Sequence, residues 1–273
     1  MSHYQSAGYR VLAPQRDELD LADTPAVDSY LRAHHVDIVL LAAVNIDSLS
    51  DNVRMYLNVA RCSPHFGRLI TVGSGAEYDR RHYVPHLSEN AFGDHVPADT
   101  YGLSKYIISN DIDANGKDMV NLRVFGIFGP HEDYQRRFIS NNICRAIAGL
   151  DICMNRGMRF DFIDVRDFLA ASQSLFSGPI RHRNYNLCTG RGIEFAELAA
   201  IIHRVSGSEQ PIRVLNDGHG GEYSGDNTRF TREFGPLDLT SFESSIESLY
   251  LWYRSRPDID AISTQLRTLE SRP

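Results

Sequence analysis

Short apolar runs alternate with segments of helical spacing through the first half of the chain, and this alternation constrains the fold more than any other feature. The apolar runs fall at residues 9–13 (YRVLA), 37–43 (DIVLLAA), 68–72 (RLITV) and 119–125 (MVNLRVF). The helical segments fall at residues 24–34, 48–62, 100–113 and 138–148. Apolar runs of this kind are typical of strands buried on both faces, and strands that alternate with helices pair in parallel. The pattern predicts an α/β fold with one doubly wound parallel sheet.

Thr24 and Pro25 mark the start of the first of these helices. Threonine is a favoured N-cap, and proline is tolerated in the first turn because its missing N–H has no partner there. We therefore predict Thr24 as the N-cap and Pro25 as the first helical residue.

The last third of the chain is less regular. Its predicted elements are a strand at 158–165, a helix from Arg166, a short YNLC run, a helix at 195–205, a strand at 211–215 and a helix at 241–253. We expect a smaller mixed lobe that closes over a substrate at the carboxyl edge of the sheet. The expected division is a sheet domain over residues 1–150 and a mainly substrate-binding lobe over residues 151–273, with some elements returning to the sheet.

Charge and hydropathy exclude two classes of partner. The net charge of −7 provides no positive field to attract a phosphate backbone, so nucleic acid is not an expected partner. No apolar run approaches the ~18 to 20 residues of a membrane span, and the first residues have neither the basic nor the apolar region of a signal peptide. The sequence therefore predicts a cytoplasmic protein with no membrane contact.

The four cysteines do not form a metal or redox motif. Cys62, Cys144, Cys153 and Cys188 are scattered, without the two-residue spacing of such sites. The one HxxxH pattern lies in a segment rich in proline and tyrosine, where helical ligand geometry is not expected. We therefore predict buried free thiols and no metal site.

Tyr101 and Lys105 form a YxxxK motif on a predicted helix, where residues four apart share one face. Lys105 and Lys117 are the only lysines among 28 basic residues, so a lysine here indicates a site that needs a compact ammonium. A cation beside a phenol favours the tyrosinate and lowers its pKa from about 10 toward neutrality. Tyr101 is thus predicted to give or take a proton at cellular pH. An exposed helix with an incidental Tyr and Lys is the alternative.

Ser74 follows the apolar run RLITV, within the segment VGSGAEY. A hydroxyl at the carboxyl end of a parallel strand lies where such sheets bind ligands, so Ser74 is expected to face Tyr101. A serine between two glycines is also common in turns, and a purely structural turn is the alternative.

Taken together, the segments VGSGAEY, YGLSK, NLRVFGIFGP, FDFIDVRDF and YNLCTG resemble the extended short-chain dehydrogenase/reductase family. Within it, they are similar to the NAD-dependent epimerase/dehydratases that act on nucleotide sugars, including GDP-fucose synthases and dTDP-4-dehydrorhamnose reductases. The resemblance covers almost all of the chain. It implies a Rossmann-type sheet with a dinucleotide-binding N-terminal domain, NAD or NADP as cofactor, a nucleotide-diphosphate sugar as substrate, and a homodimer.

The resemblance also implies roles for individual residues. Ser74 and Tyr101 would bind the C4 oxygen of the sugar, and Lys105 would hold the nicotinamide ribose and lower the pKa of Tyr101. The other implied cofactor contacts are Asp20, Leu21, Ala42 and Ala43, and the implied substrate contacts are Arg137, Asn141 and Arg159.

Two departures from the family pattern bear on the reaction. Gly75 and Ala76 stand where the 4,6-dehydratases have an Asp-Glu pair, which disfavours dehydration. Ala76 also replaces the cysteine of the GDP-fucose synthase-like epimerases, and residues 138–144 contain no histidine to complete such an acid–base pair. Simple reduction or oxidation at C4, or epimerisation through a 4-keto intermediate, is the predicted chemistry.

Two further departures affect substrate contacts. Gly126 stands where an asparagine is common, which removes one expected polar contact. Phe160 stands where relatives have an arginine, and the adjacent Arg159 is the expected substitute.

The start of the sequence has no glycine-rich turn of the GxxGxxG type, which a dinucleotide-binding sheet has after its first strand. We interpret residues 1–8 as the end of the first helix and residues 9–13 as the second strand, which leaves an edge of the sheet unpaired. Arg16 follows that strand, where it would meet the 2′-phosphate of NADP; a solvated loop arginine is the alternative.

Two hypotheses follow. In the first, the protein is an NAD(P)-dependent nucleotide-sugar 4-ketoreductase or epimerase that transfers hydride at C4 with Tyr101 as acid and base, and its coding sequence extends upstream to a glycine-rich turn. In the second, the chain is a catalytically silent relative that acts as a binding or partner subunit. The retained Ser74, Tyr101 and Lys105 favour the first hypothesis.

Overall fold

The computed structural model of the protein describes residues 2–270, and its strands and helices alternate as the apolar pattern predicts. The strands are β1 (Val36–Leu41), β2 (Phe66–Ser74), β3 (Met119–Val124), β4 (Gly126–Phe128), β5 (Ile152–Met154), β6 (Gly157–Phe160), β7 (Phe162–Asp164), β8 (Asn184–Asn186), β9 (Ile193–Glu194), β10 (Ile212–Val214) and β11 (His219–Tyr223). The α-helices are α1 (Ser2–Ser6), α2 (Thr24–His34), α3 (Leu49–Ala60), α4 (Thr100–Asn115), α5 (Phe138–Ile147), α6 (Val165–Ser172), α7 (Phe195–Ser206), α8 (Thr228–Phe234), α9 (Phe242–Arg254) and α10 (Ile259–Glu270).

The central sheet is parallel, with the strand order β1-β2-β3-β8. One face packs against α2, α3 and α4 through a cluster that includes Val27, Tyr56 and Ile108. The other face packs against α6 and α8, where Phe168 and Phe230 are buried. Helices on both faces of a parallel sheet define a doubly wound α/β fold. The predicted fold class is confirmed.

Three smaller sheets lie in the second half of the chain: β10 with β5, the order β11-β6-β9, and β4 with β7. Buried apolar side chains of α5, α7, α9 and α10 pack together into one cluster beside these sheets. The YNLC run supplies β8, which pairs with β3 in the central sheet. The C-terminal third therefore contributes both to this second core and to the central sheet.

Residues 9–13, predicted as a strand, form none in the structure. β1 pairs with β2 on one side, and no strand among residues 2–270 lies on its other side. Backbone groups that find no neighbouring strand bond to water instead, so an apolar run alone does not make a strand. Tyr9 and Leu12 in this segment are exposed. The predicted helix before it is confirmed by α1, whose Tyr4 hydroxyl lies 2.8 Å from Ser172 Oγ; Met1 lies outside the described residues.

Two local predictions are corrected. The N-cap of α2 is Asp23 rather than Thr24: its carboxylate accepts the Ala26 N–H at 3.0 Å, and Pro25 lies one residue inside the helix. The strand predicted at 158–165 is divided into β6 and β7 at Asp161, whose carboxylate instead binds a neighbouring loop at Thr189. In each case a carboxylate satisfies backbone groups that the sequence pattern had left unassigned.

None of the helices within residues 2–270 combines the length and the apolar character that crossing a bilayer requires.

Candidate active site

β2 ends at Ser74, where the chain enters a short 3-10 turn (Gly75–Glu77). The Ser74 hydroxyl accepts the Ala76 N–H at 3.1 Å, and the Glu77 carboxylate accepts the Ser74 N–H at 2.9 Å. This reciprocal capping box fixes the serine at the carboxyl edge of the sheet. Ser74 is buried there, at the position that the sequence predicts for it.

Tyr101 and Lys105 reach the same edge from the first turns of α4. Asp99 caps this helix by accepting the Gly102 N–H at 2.8 Å. The start of this helix lies against the turn after Ser74, since a Cβ on Gly102 would lie 2.5 Å from the carbonyl oxygen of Ala76. Lys105 Nζ donates to the carbonyl oxygen of Val72 at 2.8 Å and lies 6.0 Å from the centroid of the Tyr101 ring. The serine, the phenol and the ammonium therefore converge at the end of β2.

The protonation of Tyr101 differs from the prediction. Burial is the largest influence and raises the pKa of its phenol, while the Ser74 hydroxyl and the charge of Arg137 oppose it. Burial also lowers the pKa of Lys105, which directs one N–H to Val72. Desolvation disfavours the charged form of both groups. The net direction at Tyr101 is thus opposite to the predicted fall toward neutrality, and the roles of Tyr101 and Lys105 in proton transfer stay predictions.

A buried polar network lies under Ser74. Arg123 Nε donates to the Glu77 carboxylate, and both side chains are almost fully buried. Asn121 Nδ2 donates to both oxygens of Glu77, at 3.0 and 3.1 Å. Glu77 was not among the predicted site residues. The sequence feature that could have indicated it is an acidic residue just after a buried strand, while the next strand carries Arg123, which pairs with Gly73 in the sheet.

Two tyrosines outside the predicted site lie beside the turn that follows Ser74. The Tyr83 hydroxyl donates to the carbonyl oxygen of Gly75 at 3.1 Å, and its ring centroid lies 4.8 Å from that of Tyr223, the last residue of β11. Glycine at position 75 allows this approach, because a Cβ there would lie 2.5 Å from the Tyr223 oxygen. Burial raises the pKa of both phenols, so both are neutral donors. The sequence signal for Tyr223 was its place in the glycine-rich run GHGGEYSGD.

The predicted cofactor contacts divide into two groups. Ala43 and Lys105 line the same shallow pocket, together with Leu41 and Val72, and Ala42 adjoins them in the chain. The pocket thus lies between α4 and the carboxyl ends of β1 and β2, where the resemblance implies contact with the cofactor.

The other group lies in the irregular segment before α2. Arg16 is exposed and 4.0 Å from Asp20, and the carbonyl of Leu21 accepts from Asn58 at 2.9 Å. No strand and no glycine-rich turn surrounds them within residues 2–35. Their roles at the adenine and the ribose phosphate stay predictions.

Of the predicted substrate contacts, Arg137 is near enough to Tyr101 for its charge to act on the phenol. It immediately precedes α5, is exposed, and its charge lowers the pKa of Tyr101. The Asn141 side chain instead donates to the carbonyl of Tyr134 at 2.9 Å.

Arg159 is occupied by neighbours in the C-terminal lobe. It donates to the carbonyl of Gly192 at 2.9 Å and lies 3.6 Å from the carboxylates of Glu194 and Glu222. Contact with a diphosphate would require Arg159 to exchange these carboxylates for phosphate oxygens.

The residues fit one end of a nicotinamide dinucleotide. Lys105 presents an ammonium with one of its three N–H groups on Val72, beside a phenol and an apolar pocket wall, which suits a ribose with two hydroxyls. The diphosphate end requires backbone N–H groups of a glycine-rich turn at a helix N-terminus. Residues 9–23, which lead into α2, contain no glycine, and Asp23 already caps that helix. Residues 2–35 therefore provide no site for the diphosphate.

The fold and this site define a Rossmann-type protein with a Ser-Tyr-Lys centre, and comparison with known families agrees. The model of the NAD dependent epimerase/dehydratase family matches residues 1–188. The chain belongs to this family of enzymes.

Solved structures support the same fold. GDP-mannoheptose C4 reductase from Campylobacter jejuni with NADP bound is 16% identical, with a TM-score of 0.75 over 93% of this chain and 94% of that chain. A GDP-L-fucose synthetase from Naegleria fowleri bound to NADP is 17% identical, with a TM-score of 0.77 over 89% and 85%. UDP-glucose 4-epimerase from Thermotoga maritima with UDP-glucose is 17% identical, with a TM-score of 0.74 over 87% and 83%. At these identities the likeness shows the fold.

Proposed function

We propose that the protein is an NAD(P)-dependent reductase or epimerase that acts at C4 of a nucleotide-diphosphate sugar. The observation that carries this proposal is the convergence of Ser74, Tyr101 and Lys105 at the end of β2. Family membership supports it, as do structural neighbours whose names specify GDP-sugar or UDP-sugar chemistry and, in two of the three, bound NADP.

Each residue has a role that follows from its surroundings. Tyr101 is partly buried and its phenol has a raised pKa, so it donates its proton to the C4 carbonyl oxygen during reduction and accepts one during oxidation. Ser74 adds a second hydrogen bond to that oxygen. Lys105 binds the nicotinamide ribose through its remaining N–H groups, and Arg137 faces the negative diphosphate of the substrate. When bound, the nicotinamide supplies or accepts the hydride at C4.

The turn after Ser74 supports reduction or epimerisation rather than elimination. A dehydratase needs acidic side chains at positions 75 and 76, where this chain has Gly75 and Ala76. The space beside Gly75 is filled by the hydroxyl of Tyr223 and the ring of Phe125. No carboxylate is therefore placed at positions 75 and 76, and the Glu77 carboxylate in the same turn is buried and bonded to the Ser74 N–H, Asn121 and Arg123.

Cofactor binding is the first test. We expect millimolar NADH or NADPH to raise the melting temperature of the protein. The two lysines provide a matched pair: Lys105→Met should abolish the shift, whereas Lys117→Met, at an exposed position after α4, should retain it. A wild-type protein whose melting temperature responds to none of the four NAD(H) and NADP(H) forms would contradict the proposal and favour a catalytically silent relative.

Turnover is the second test, with GDP- and UDP-linked 4-keto sugars as substrates. Tyr101→Phe removes the transferable proton and keeps the ring, so the rate should fall by about 10²- to 10⁴-fold. Tyr106→Phe, on the same helix, is the control and should retain the wild-type rate. Equal rates for both variants would remove Tyr101 from the mechanism.

A further inference from the structure

Lys105 and the pocket beside it suit the nicotinamide end of the cofactor. Lys105 is buried, and its Nζ donates one N–H to the carbonyl oxygen of Val72 at 2.8 Å. An ammonium has three N–H groups, so two remain for the hydroxyls of a ribose. The pocket wall next to Lys105 is apolar at Leu41 and Ala43, which suits the face of a nicotinamide ring. These contacts involve the ring and its ribose, and nothing beyond them.

The N-terminus of α2, which follows the predicted contacts Asp20 and Leu21, has its own partners. The Asp23 carboxylate accepts the Ala26 N–H at 3.0 Å, and the Asp23 carbonyl accepts the Val27 N–H at 3.1 Å. Pro25, in the same turn, has no N–H. A diphosphate at a helix N-terminus needs several backbone N–H groups that are free of other acceptors. The first turn of α2 does not offer them.

The N-terminus of α3, which follows the predicted contacts Ala42 and Ala43, is occupied in the same way. The Ser48 hydroxyl accepts the Asp51 N–H at 3.1 Å, and the Ser48 carbonyl accepts the Asn52 N–H at 3.3 Å. Asp51 also places a carboxylate in this first turn. A carboxylate there stabilises the helix through its dipole but repels a second anion at the same place.

The segment before α2 carries the wrong charge for a diphosphate. Residues 14–23 contain a single arginine against four carboxylates, those of Asp17, Glu18, Asp20 and Asp23. The arginine, Arg16, is exposed and lies 4.0 Å from the carboxylate of Asp20. The two negative charges of a diphosphate would therefore meet repulsion rather than attraction along this segment.

We propose that residues 2–270 recognise the nicotinamide riboside half of the cofactor alone, so that the diphosphate and the adenosine add no affinity. The identity of the cofactor rests on the proposed function, whereas the unequal treatment of its two halves follows from the contacts above. Reduced nicotinamide riboside (NRH), which has the ring and the ribose but no phosphate, should therefore bind as tightly as NADH.

Equilibrium dialysis of the wild-type protein against NRH, NADH and NADPH measures the three affinities. We expect them to differ by less than about tenfold, whereas a diphosphate held by two charged hydrogen bonds would favour NADH by about 100-fold or more. Raising NaCl from about 50 to about 500 mM should not weaken NADH relative to NRH, because screening weakens an attractive diphosphate site and relieves a repulsive one. A preference for NADH of more than about tenfold, or one that falls with salt, would overturn the proposal.

Saturation-transfer NMR shows which half of NADH contacts the protein. Transfer from the protein should reach the protons of the nicotinamide ring and its ribose, and it should not reach the adenine ring protons. Adenine signals as strong as the nicotinamide signals would mean that the adenosine half is bound as well, and the proposal would fail.

The two lysines control the experiment. Lys105→Met should weaken NRH and NADH by the same factor, because both ligands would use this ammonium. Lys117→Met, at an exposed position after α4, should change neither affinity.

The outcomes separate this proposal from the proposed function. If NADH binds far more tightly than NRH, the proposed function stands and this proposal fails. If both bind equally and no nucleotide sugar is turned over, this proposal stands and the assigned reaction fails. If no nicotinamide compound binds, both fail.

Discussion

Glu77→Gln is the substitution for which the structure gives the clearest energetic expectation. The Glu77 carboxylate accepts hydrogen bonds from the Ser74 N–H, from Asn121 Nδ2 and from Arg123 Nε, and it is sealed from solvent. A glutamine has one oxygen and one NH2 group in the same space, so at least one of these donors would face another donor. The Arg123 guanidinium, 1% exposed, would keep its hydrogen bonds to Ser109 and Asn184 but lose the carboxylate that balances its charge.

Removing one partner of a buried ion pair costs about 3 to 5 kcal/mol, because the remaining charge is left desolvated and unpaired. A domain of this kind is typically stable by only about 5 to 15 kcal/mol. Glu77→Gln should therefore lose a large part of the free energy of unfolding. Urea denaturation followed by circular dichroism measures this loss, as a lower midpoint with an unchanged slope.

A double variant and a control variant test whether the unpaired buried charge causes this loss of stability. Glu77→Gln combined with Arg123→Met removes both charges and should be more stable than the single variant by about 2 kcal/mol. Glu243→Gln breaks the exposed pair with Arg204, 3.0 Å long and more than half exposed on both sides, and should cost less than about 1 kcal/mol. A Glu77→Gln protein that loses no more than the control, or a double variant no better than the single one, would show that the buried charge is not what is being measured.

Three further substitutions test other parts of the structure. Burial raises the pKa of Glu132 to about 7 from 4.5, so the protonated side chain stabilises the fold fully below pH 4.5, and this stabilisation is lost as the pH rises through 7. The loss is equivalent to about 3 kcal/mol at most. Glu132→Gln cannot titrate, so its melting temperature should vary less between pH 5 and 8 than that of the wild type. Gly126→Ala places a Cβ 2.6 Å from the Phe162 ring and should cost about 1 to 3 kcal/mol in urea unfolding, whereas an unchanged midpoint would mean that the ring moves freely. Arg137→Met removes a charge that favours the tyrosinate, so the pKa of Tyr101 should rise and the KM for a nucleotide sugar should increase; an unchanged KM would place the diphosphate elsewhere.

The central sheet was predictable from sequence because β2 and β3 are buried on both faces and read as continuous apolar runs. The wrong prediction of a strand at residues 9–13 also came from reading an apolar run as a strand. Their composition is that of a strand, but strand formation depends on a neighbour, and the neighbour is not encoded locally. The N-cap of α2 was predicted one residue too late because Asp23 and Thr24 are both good caps, and only the backbone geometry distinguishes them.

The convergence of Ser74, Tyr101 and Lys105 was also predictable, since a strand end and the first turns of the following helix meet at one edge of a parallel sheet. The pKa of Tyr101 was not, because it depends on desolvation by side chains that approach from other elements. Tyr223 lies far along the chain and comes to lie beside Gly75 through the pairing of β11 with β6. The glycine-rich run around Tyr223 does not say which strand end it approaches.

The two family departures, Gly126 and Phe160, belong to one packing arrangement. Glycine at 126 is required because the Phe162 ring occupies the space of its side chain, and Phe160 packs against both Phe162 and Tyr223, with centroids 5.6 and 5.1 Å away. The polar residues that relatives carry at these positions would interrupt this aromatic wall. This wall holds the Tyr223 ring, whose hydroxyl lies beside Gly75. The two departures are therefore consequences of one set of packed aromatic residues, which places a phenol from β11 next to the turn that follows Ser74.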